Sequence, residues 1–384
     1  MIKVLIADDS AFMRMVLSDL FKKQPDFEVL DTARNGKEAY EKALRLKPDL
    51  VTMDVNMPVM DGLDALRHIM EDCPTAVIMC SSLTKDGADA TMKALSLGAV
   101  DFINKTGGSI MRIDSIEDEI LAKCRAAAGA RIGGVVRKPR ASIFAPKPQT
   151  GSSSSAGKQE SFSTVAKPNF LSAWRKPVTS APVFHTDSAL VSSGGKNKLV
   201  VLGTSTGGPK ALQTVVAGLP KNLPCGVLIV QHMPPGFTKS LAERLDEISQ
   251  VSVKEAEDHE PILPGHVYIA PGNYHMTVGM GKNGREVALN QDPPLGTLRP
   301  AADVLFKSAA PLGRDIVSVI LTGMGQDGCL GMQDIKRHGG YIIAEAESTC
   351  VVYGMPKAVV DLGIADEILP LQQVAGAIAK AVNR

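Results

Sequence analysis

Residues 198–216, KLVVLGTSTGGPKALQTVV, run from an unbroken apolar stretch through a glycine-rich turn into an amphipathic segment with Pro209 near its start. This order predicts a buried strand, a tight turn and a helix, because proline suits a first helical turn, where its missing N–H is not needed. Gly203 to Gly207 matches G-x-S-x-G, in which flanking glycines permit a sharp turn that lifts Ser205 above the sheet. The motif is moderately specific. A phosphate-cradling loop is the alternative, but the P-loop lysine spacing and G-x-G-x-x-G are both missing.

Working outward, GVLIVQH, HVYIAPG, IVSVILTG and YIIAEA read as further buried strands separated by helical stretches, and HMTVGMGKNGREVALN alternates around Asn283-Gly284 as a β-hairpin does. Upstream, IKVLIA, FEVLDTA, LVTMDV, AVIMCSS and DFINK alternate with amphipathic segments such as FMRMVLSDLFKK and KEAYEKALRLK. Strands alternating with helices imply right-handed crossovers and parallel sheets covered on both faces. The expected fold class is therefore α/β, with two doubly wound domains, the second mostly parallel with a hairpin. Ligands bind such sheets outside the carboxyl ends of the strands, so the strand-terminating residues are the candidates for chemistry.

At those ends stand Ser205, His232 and, after VILTGMGQ, Asp327, a possible nucleophile, base and orienting acid. Their order differs from the Ser, Asp, His order of α/β-hydrolases, which argues for a distinct fold and leaves the chemistry open, since a triad is defined by geometry. His275, after the APGNY loop, is the rival base. His232 is preferred because its strand directly follows the serine's helix.

In the N-terminal half the first strand ends in Asp8-Asp9 and the third in Asp54. Three carboxylates at one sheet edge repel unless a cation neutralises them, and Mg²⁺ is the natural candidate for an oxygen-only site that also takes phosphate. Later strands end in Ser81-Ser82 and Lys105, a hydroxyl and an ammonium able to contact a phosphoryl group. Together they make a phosphoryl-accepting site.

The chain has 384 residues, 44 % of them apolar and 4 % aromatic, and a net charge of +1. Neither a basic surface nor stacking aromatics for nucleic acid is evident, and no apolar run approaches the roughly 18 residues of a membrane helix. No secretory signal is expected from MIKVLIADD, and six scattered cysteines read as reduced core thiols of a cytoplasmic protein. Residues 137–195 hold 12 Ser, 6 Pro and 4 Gly with a net charge of +6, the composition of a flexible linker. The expected division is a domain at 1–125, a linker at 126–195 carrying Phe162, Phe170 and Trp174, and a second domain at 196–384.

Residues 1 to about 125 resemble a response-regulator receiver domain in DDS (8–10), DVNMPVMDG (54–62), CSS (80–82) and FINK (102–105). The resemblance implies a flavodoxin-like fold with Asp54 as phospho-acceptor. It also implies Mg²⁺ held by Asp8, Asp9, Asp54 and the Asn56 carbonyl, Ser81 and Phe102 as switch residues, and Lys105 on the phosphate. Thr106 stands where that family usually has proline.

Along the whole chain, GTSTGGP (203–209), QHMPPGFT (231–238), APGNYHM (270–276), RPAADVLF (299–306), LTGMGQDG (321–328) and SxCVVYGMP (348–356) resemble the chemotaxis protein-glutamate methylesterase/glutaminases. That resemblance implies a Ser205, His232, Asp327 triad, with Thr206 and Met324 beside the nucleophile and a Met324 N–H for the oxyanion. It implies hydrolysis of glutamate methyl esters, releasing methanol, and deamidation of glutamines on methyl-accepting chemotaxis receptors. A chemotaxis histidine kinase would be the phosphodonor, and the hydrolase step would need no cofactor. The unphosphorylated receiver would pack over the catalytic cleft. A monomer without nucleic-acid or membrane insertion is expected. The competing expectations are a receiver coupled to a phospho-ligand binding module without hydrolysis, and an esterase or amidase for small molecules.

Overall fold

The computed structural model describes residues 1–82, 84–105, 113–130, 198–282 and 284–384. Most of the expected linker, with Phe162, Phe170 and Trp174, lies outside the described residues, as do Thr106 and the turn residue Asn283.

In the N-terminal lobe, β1 (Ile2–Ala7), β2 (Phe27–Ala33), β3 (Leu50–Asp54), β4 (Ala76–Ser82) and β5 (Asp101–Lys105) coincide with the expected apolar runs. They form one parallel sheet in the order β2-β1-β3-β4-β5, the flavodoxin-like winding. Helices α1 (Ala11–Lys22) and α5 (Ile113–Ala128) cover one face, and α2 (Gly36–Leu46), α3 (Gly62–Asp72) and α4 (Lys85–Leu97) the other. Local chemistry starts these helices: the side chains of Ser10, Asn35, Asp61 and Thr84 each accept a hydrogen bond from a first-turn N–H.

The C-terminal lobe winds around β6 (Leu199–Thr204), the strand of the opening motif, followed by α6 (Gly208–Ala217). Its sheet further contains β7 (Val227–Gln231), β8 (Ser252–Glu255), β9 (His266–Ile269), β12 (Ile316–Ile320), β13 (Tyr341–Glu345) and β14 (Glu367–Leu369). The order is β14-β13-β12-β6-β7-β9-β8, with every pair parallel. The edge strands β8 and β14 are short and partly exposed, so neither carries an apolar run that would mark it in the sequence. The hairpin β10 (His275–Gly281) with β11 (Gly284–Asn290) is antiparallel and forms a separate two-stranded sheet. Helices α6, α7 (Phe237–Ile248) and α11 (Leu371–Val382) cover one face; α8 (Ala302–Ala309), α9 (Cys329–Arg337) and α10 (Met355–Asp361) cover the other.

The chain turns outward in both directions from β6 and β12, which makes that boundary the topological switch point of the larger sheet. The smaller sheet has its own at β1 and β3. Each candidate site follows such a pair of strands. The two lobes also share one apolar cluster through α4, α6 and α7, and the Phe102 and Phe237 rings stack across them at 4.6 Å.

Among the described residues no helix is long and apolar enough to cross a membrane. None of the six cysteines forms a disulfide. Burial pushes Cys80 and Cys225 up to about 12 and Cys124 higher still, so these thiols stay protonated and unreactive.

Candidate active site

At the end of β6 the chain bends through Ser205, Thr206 and Gly207 into α6. Gly207 sits at φ 80°, a left-handed conformation that costs glycine nothing and a side chain about a kcal/mol or more. Ser205 is pinned to the neighbouring strand, its N–H donating to the Thr322 carbonyl at 3.1 Å. That carbonyl also accepts from the Thr204 hydroxyl at 2.8 Å, and the Thr322 hydroxyl donates to the Thr206 carbonyl at 2.9 Å.

Register pairs Thr204 with Gln231, so Ser205 and His232 are the first residues past two adjacent strand ends. His232 Nε2 lies 2.8 Å from Asp327 Oδ2. A carboxylate can only accept, so Nε2 donates and Nδ1 is the bare nitrogen of the neutral ring. Asp327 itself accepts from the backbone N–H groups of Ala302 at 2.6 Å and Asp303 at 3.0 Å, at the start of α8. Burial acts to raise its pKa, but the hydrogen bonds from His232 and the two N–H groups outweigh it and hold the carboxyl below its usual range. The acid is therefore ionised and oriented before any substrate arrives.

Among the described residues no hydrogen bond joins the Ser205 hydroxyl to His232, and the N–H groups of Thr206 and Met324 have no acceptor. Met324 is exposed on the loop after β12, whose Gly323 abuts Ser205: a Cβ there would stand 3.0 Å from Ser205 Cβ. The rival His275 is fully buried at the base of the hairpin, with Nε2 3.3 Å from the Pro293 carbonyl and no partner for Nδ1. It is not joined to Asp327.

Three residues to which the sequence assigned no role adjoin this centre. Glu345, ending β13 and fully buried, accepts from Thr322 N–H at 2.8 Å and the Thr349 hydroxyl at 3.0 Å. With no cation beside it, burial lifts its pKa above the usual carboxylate value despite those donors. Gln231 donates to the carbonyls of Ser205 and His232. Asp101 of β5 accepts from the Thr206 hydroxyl at 2.6 Å, a buried hydrogen bond between the two lobes. The bonds to Thr322, Ser205 and Thr206 span 23, 26 and 105 residues of sequence, beyond any local pattern. Among the described residues two more hydrogen bonds join the lobes, Ser240 to Asp89 at 2.9 Å and Gln213 to Ser96 at 3.1 Å.

In the N-terminal lobe the structure brings Asp8, Asp9 and Asp54 together, with a carboxylate oxygen from each within 4.8 Å of the others. Lys105 Nζ lies 2.8 Å from both Asp8 and Asp54. Burial raises Asp54 above its usual value, with Asp8 and Asp9 adding to the effect and Lys105 opposing it. Burial disfavours the Lys105 charge, but the two carboxylates outweigh it and hold its pKa up. Apart from that ammonium, buried Asp8 Oδ2 has no donor. Three clustered carboxylates with one cation are the donor set that a hard divalent ion fits. Asn56 is exposed just beyond Asp54. Ser81, at the end of β4, is buried and donates to the Gly87 carbonyl at 3.0 Å; Phe102 is buried against Phe237.

Comparison with known proteins agrees with both halves. Residues 4–113 match the response regulator receiver domain, and residues 200–378 match CheB methylesterase. A protein-glutamate methylesterase/protein-glutamine glutaminase of Symbiobacterium thermophilum is 46 % identical over 386 residues, covering 100 % of this chain and 97 % of that one. The protein of the same name from Thermotoga maritima is 44 % identical over 376 residues, covering 97 % and 96 %. The crystal structure of the Thermotoga maritima CheB methylesterase catalytic domain is 46 % identical, covers 48 % of this chain and 97 % of that one, and has a TM-score of 0.47. With identity of this degree running end to end, the chain belongs to the protein-glutamate methylesterase/protein-glutamine glutaminase family, a CheB methylesterase domain behind a response-regulator receiver.

Proposed function

We propose that the chain removes methyl groups from glutamate γ-methyl esters of chemoreceptors, deamidates receptor glutamines, and does both under phosphorylation control. The observation that carries the hydrolase reading is the His232–Asp327 pair, pre-oriented by two backbone N–H groups at the start of α8 and standing, like Ser205, just past the ends of the sheet strands. His232 Nδ1 takes the Ser205 proton as the hydroxyl oxygen attacks the ester carbonyl. Asp327 keeps the proton on Nε2 and stabilises the imidazolium that forms. The free N–H groups of Thr206 and Met324 supply the oxyanion donors, each worth roughly 3 kcal/mol. His232 then protonates the departing methoxide, methanol leaves, and water repeats the cycle on the acyl-enzyme to release glutamate and restore Ser205. Starting from the amide of a glutamine, the leaving group is ammonia.

Asp54 is the acceptor of the phosphoryl group, from a histidine kinase of the chemotaxis system. Asp8, Asp9, Asp54 and the Asn56 carbonyl would hold Mg²⁺, which neutralises charge on the transferring group. Lys105, already between Asp8 and Asp54, is placed to contact the phosphoryl oxygens. Ser81 and Phe102 would transmit the change. The direct hydrogen bond from Thr206 to receiver Asp101 supports docking of the receiver as the inhibited state, since Thr206 adjoins the nucleophile. The names of the relatives favour hydrolysis over a phospho-ligand binding module.

The test is methanol release from methylated receptor membranes, with and without Mg²⁺ and a small phosphodonor. Ser205→Ala should release none, and Asp54→Ala should ignore the phosphodonor. Release by Ser205→Ala at the wild-type rate would overturn the assignment.

A further inference from the structure

We infer that Gln231 is a positioning residue whose one side-chain amide holds the backbones of Ser205 and His232 at a set separation. The inference rests on the reading of Ser205 as nucleophile and His232 as base.

The β6–β7 ladder ends at Thr204 and Gln231, with a last bond from His232 N–H to the Thr204 carbonyl at 3.3 Å. Beyond it no strand pairing holds the two catalytic segments together. Gln231 Nε2 spans the gap, donating to the Ser205 carbonyl at 3.0 Å and to the His232 carbonyl at 3.2 Å. The amide can face only this way, because the flipped group would set its own oxygen against two carbonyl oxygens.

This bridge has a cost that packing does not explain. Gln231 is 2 % exposed and its Oε1 has no donor, so a polar atom is buried unpaired where methionine would fill the space without that penalty. Room for the amide depends on Gly208: a Cβ there would stand 2.0 Å from Gln231 Oε1 and 2.6 Å from the Thr204 hydroxyl. Asp327 orients the imidazole and Thr322 anchors the serine, but neither connects the two. Transfer of the Ser205 proton depends steeply on that connection, since displacement of a reacting group by about 1 Å can cost on the order of 100-fold in rate.

The experiment uses the full chain with Mg²⁺ and phosphodonor, comparing wild type, Gln231→Met, Gln231→Glu, Gly208→Ala and Ser205→Ala. Gln231→Met keeps the volume and loses both donors; Gln231→Glu keeps the shape with acceptors only; Gly208→Ala leaves Gln231 but fills the place of its amide. Measured are kcat and KM for methanol release, the rate and pH dependence of Ser205 labelling by a fluorophosphonate, and the folded fraction. The expected result is a fall of roughly 10- to 100-fold in kcat and labelling rate per folded chain, with KM and the midpoint of the pH profile close to wild type. A general structural role would lower the folded fraction and leave kcat per folded chain intact, and that outcome overturns the inference, as does wild-type kcat in folded Gln231→Met. If Gln231→Met does not fold, the other two variants decide in the same way. Retained activity in Ser205→Ala would instead refute the nucleophile assignment itself.

Discussion

Asp101→Ala removes the acceptor of the Thr206 hydroxyl, 2.6 Å away in the buried seam between the lobes. A hydrogen bond to a charged group is worth about 1.5–3 kcal/mol, and the open state suffers no matching loss because water replaces the partner there. At 1.4 kcal/mol per tenfold, the ratio of open to docked chains rises about 10- to 150-fold. Asp101 also accepts from the Phe102 N–H at 2.8 Å and faces Lys123 at 3.9 Å, but Lys123 keeps its hydrogen bond to the Phe102 carbonyl at 2.9 Å and its pairing with Glu119, and phosphate uptake at Asp54 checks that the receiver stays folded. If basal activity comes from the open fraction, methanol release without phosphodonor rises by the same factor, up to the rate of residues 196–384 alone. Phe102→Ala acts in the same direction by removing the ring stacked on Phe237, worth about 0.5–1.5 kcal/mol beyond its buried area. The assay is methanol release from methylated receptors, with phosphate incorporation at Asp54 confirming an intact receiver and small-angle scattering reporting separation of the lobes. Basal release equal to wild type, from a variant that still accepts phosphate, would refute inhibitory docking through this contact.

Glu345 and Asp54 yield pH predictions of one sign. Both pKa values are raised by burial, so each group's stabilising contribution is complete below its unfolded value near 4 and is lost as pH rises through the higher folded value. Glu345→Gln keeps an oxygen for the Thr322 N–H and removes the buried charge, so its unfolding temperature relative to wild type should climb from pH 4.5 to pH 8; parallel curves would sink the idea. Asp54→Asn should likewise unfold at higher temperature than wild type at pH 7 while losing all response to phosphodonor, read by thermal melts and methanol release. Chelating Mg²⁺ should abolish that response in the wild type and leave basal release unchanged, whereas phosphate uptake in excess chelator would contradict a metal-dependent receiver.

Much of this molecule can be read from its chain because its strands are buried on both faces. A strand such as LVVLGT or LVTMD is apolar along most of its length, and the polar residues at its end mark the carboxyl edge of the sheet. Asp8, Asp54, Ser205 and His232 stand at or just past such ends, and they stand out for that reason. Strands β8 and β14 carry no such mark because edge strands need no continuous apolar run. Gln231 lay inside a recognised motif, yet its role was illegible, because the targets of its amide are set by the pairing of β6 with β7.

The sequence by itself determined the two doubly wound lobes, the carboxylates at one sheet edge and the candidacy of Ser205, His232 and Asp327, since each follows from local hydrophobic patterning and from glycine and strand-end positions. Only the tertiary structure decided which nitrogen of His232 meets Asp327, that Asp101 reaches Thr206 across 105 residues, that Glu345 holds the Thr322 N–H, and that Gln231 bridges the Ser205 and His232 carbonyls. These are hydrogen bonds between side chains and groups on other elements, and their geometry exists only once strand order and register have brought distant segments within about 3 Å.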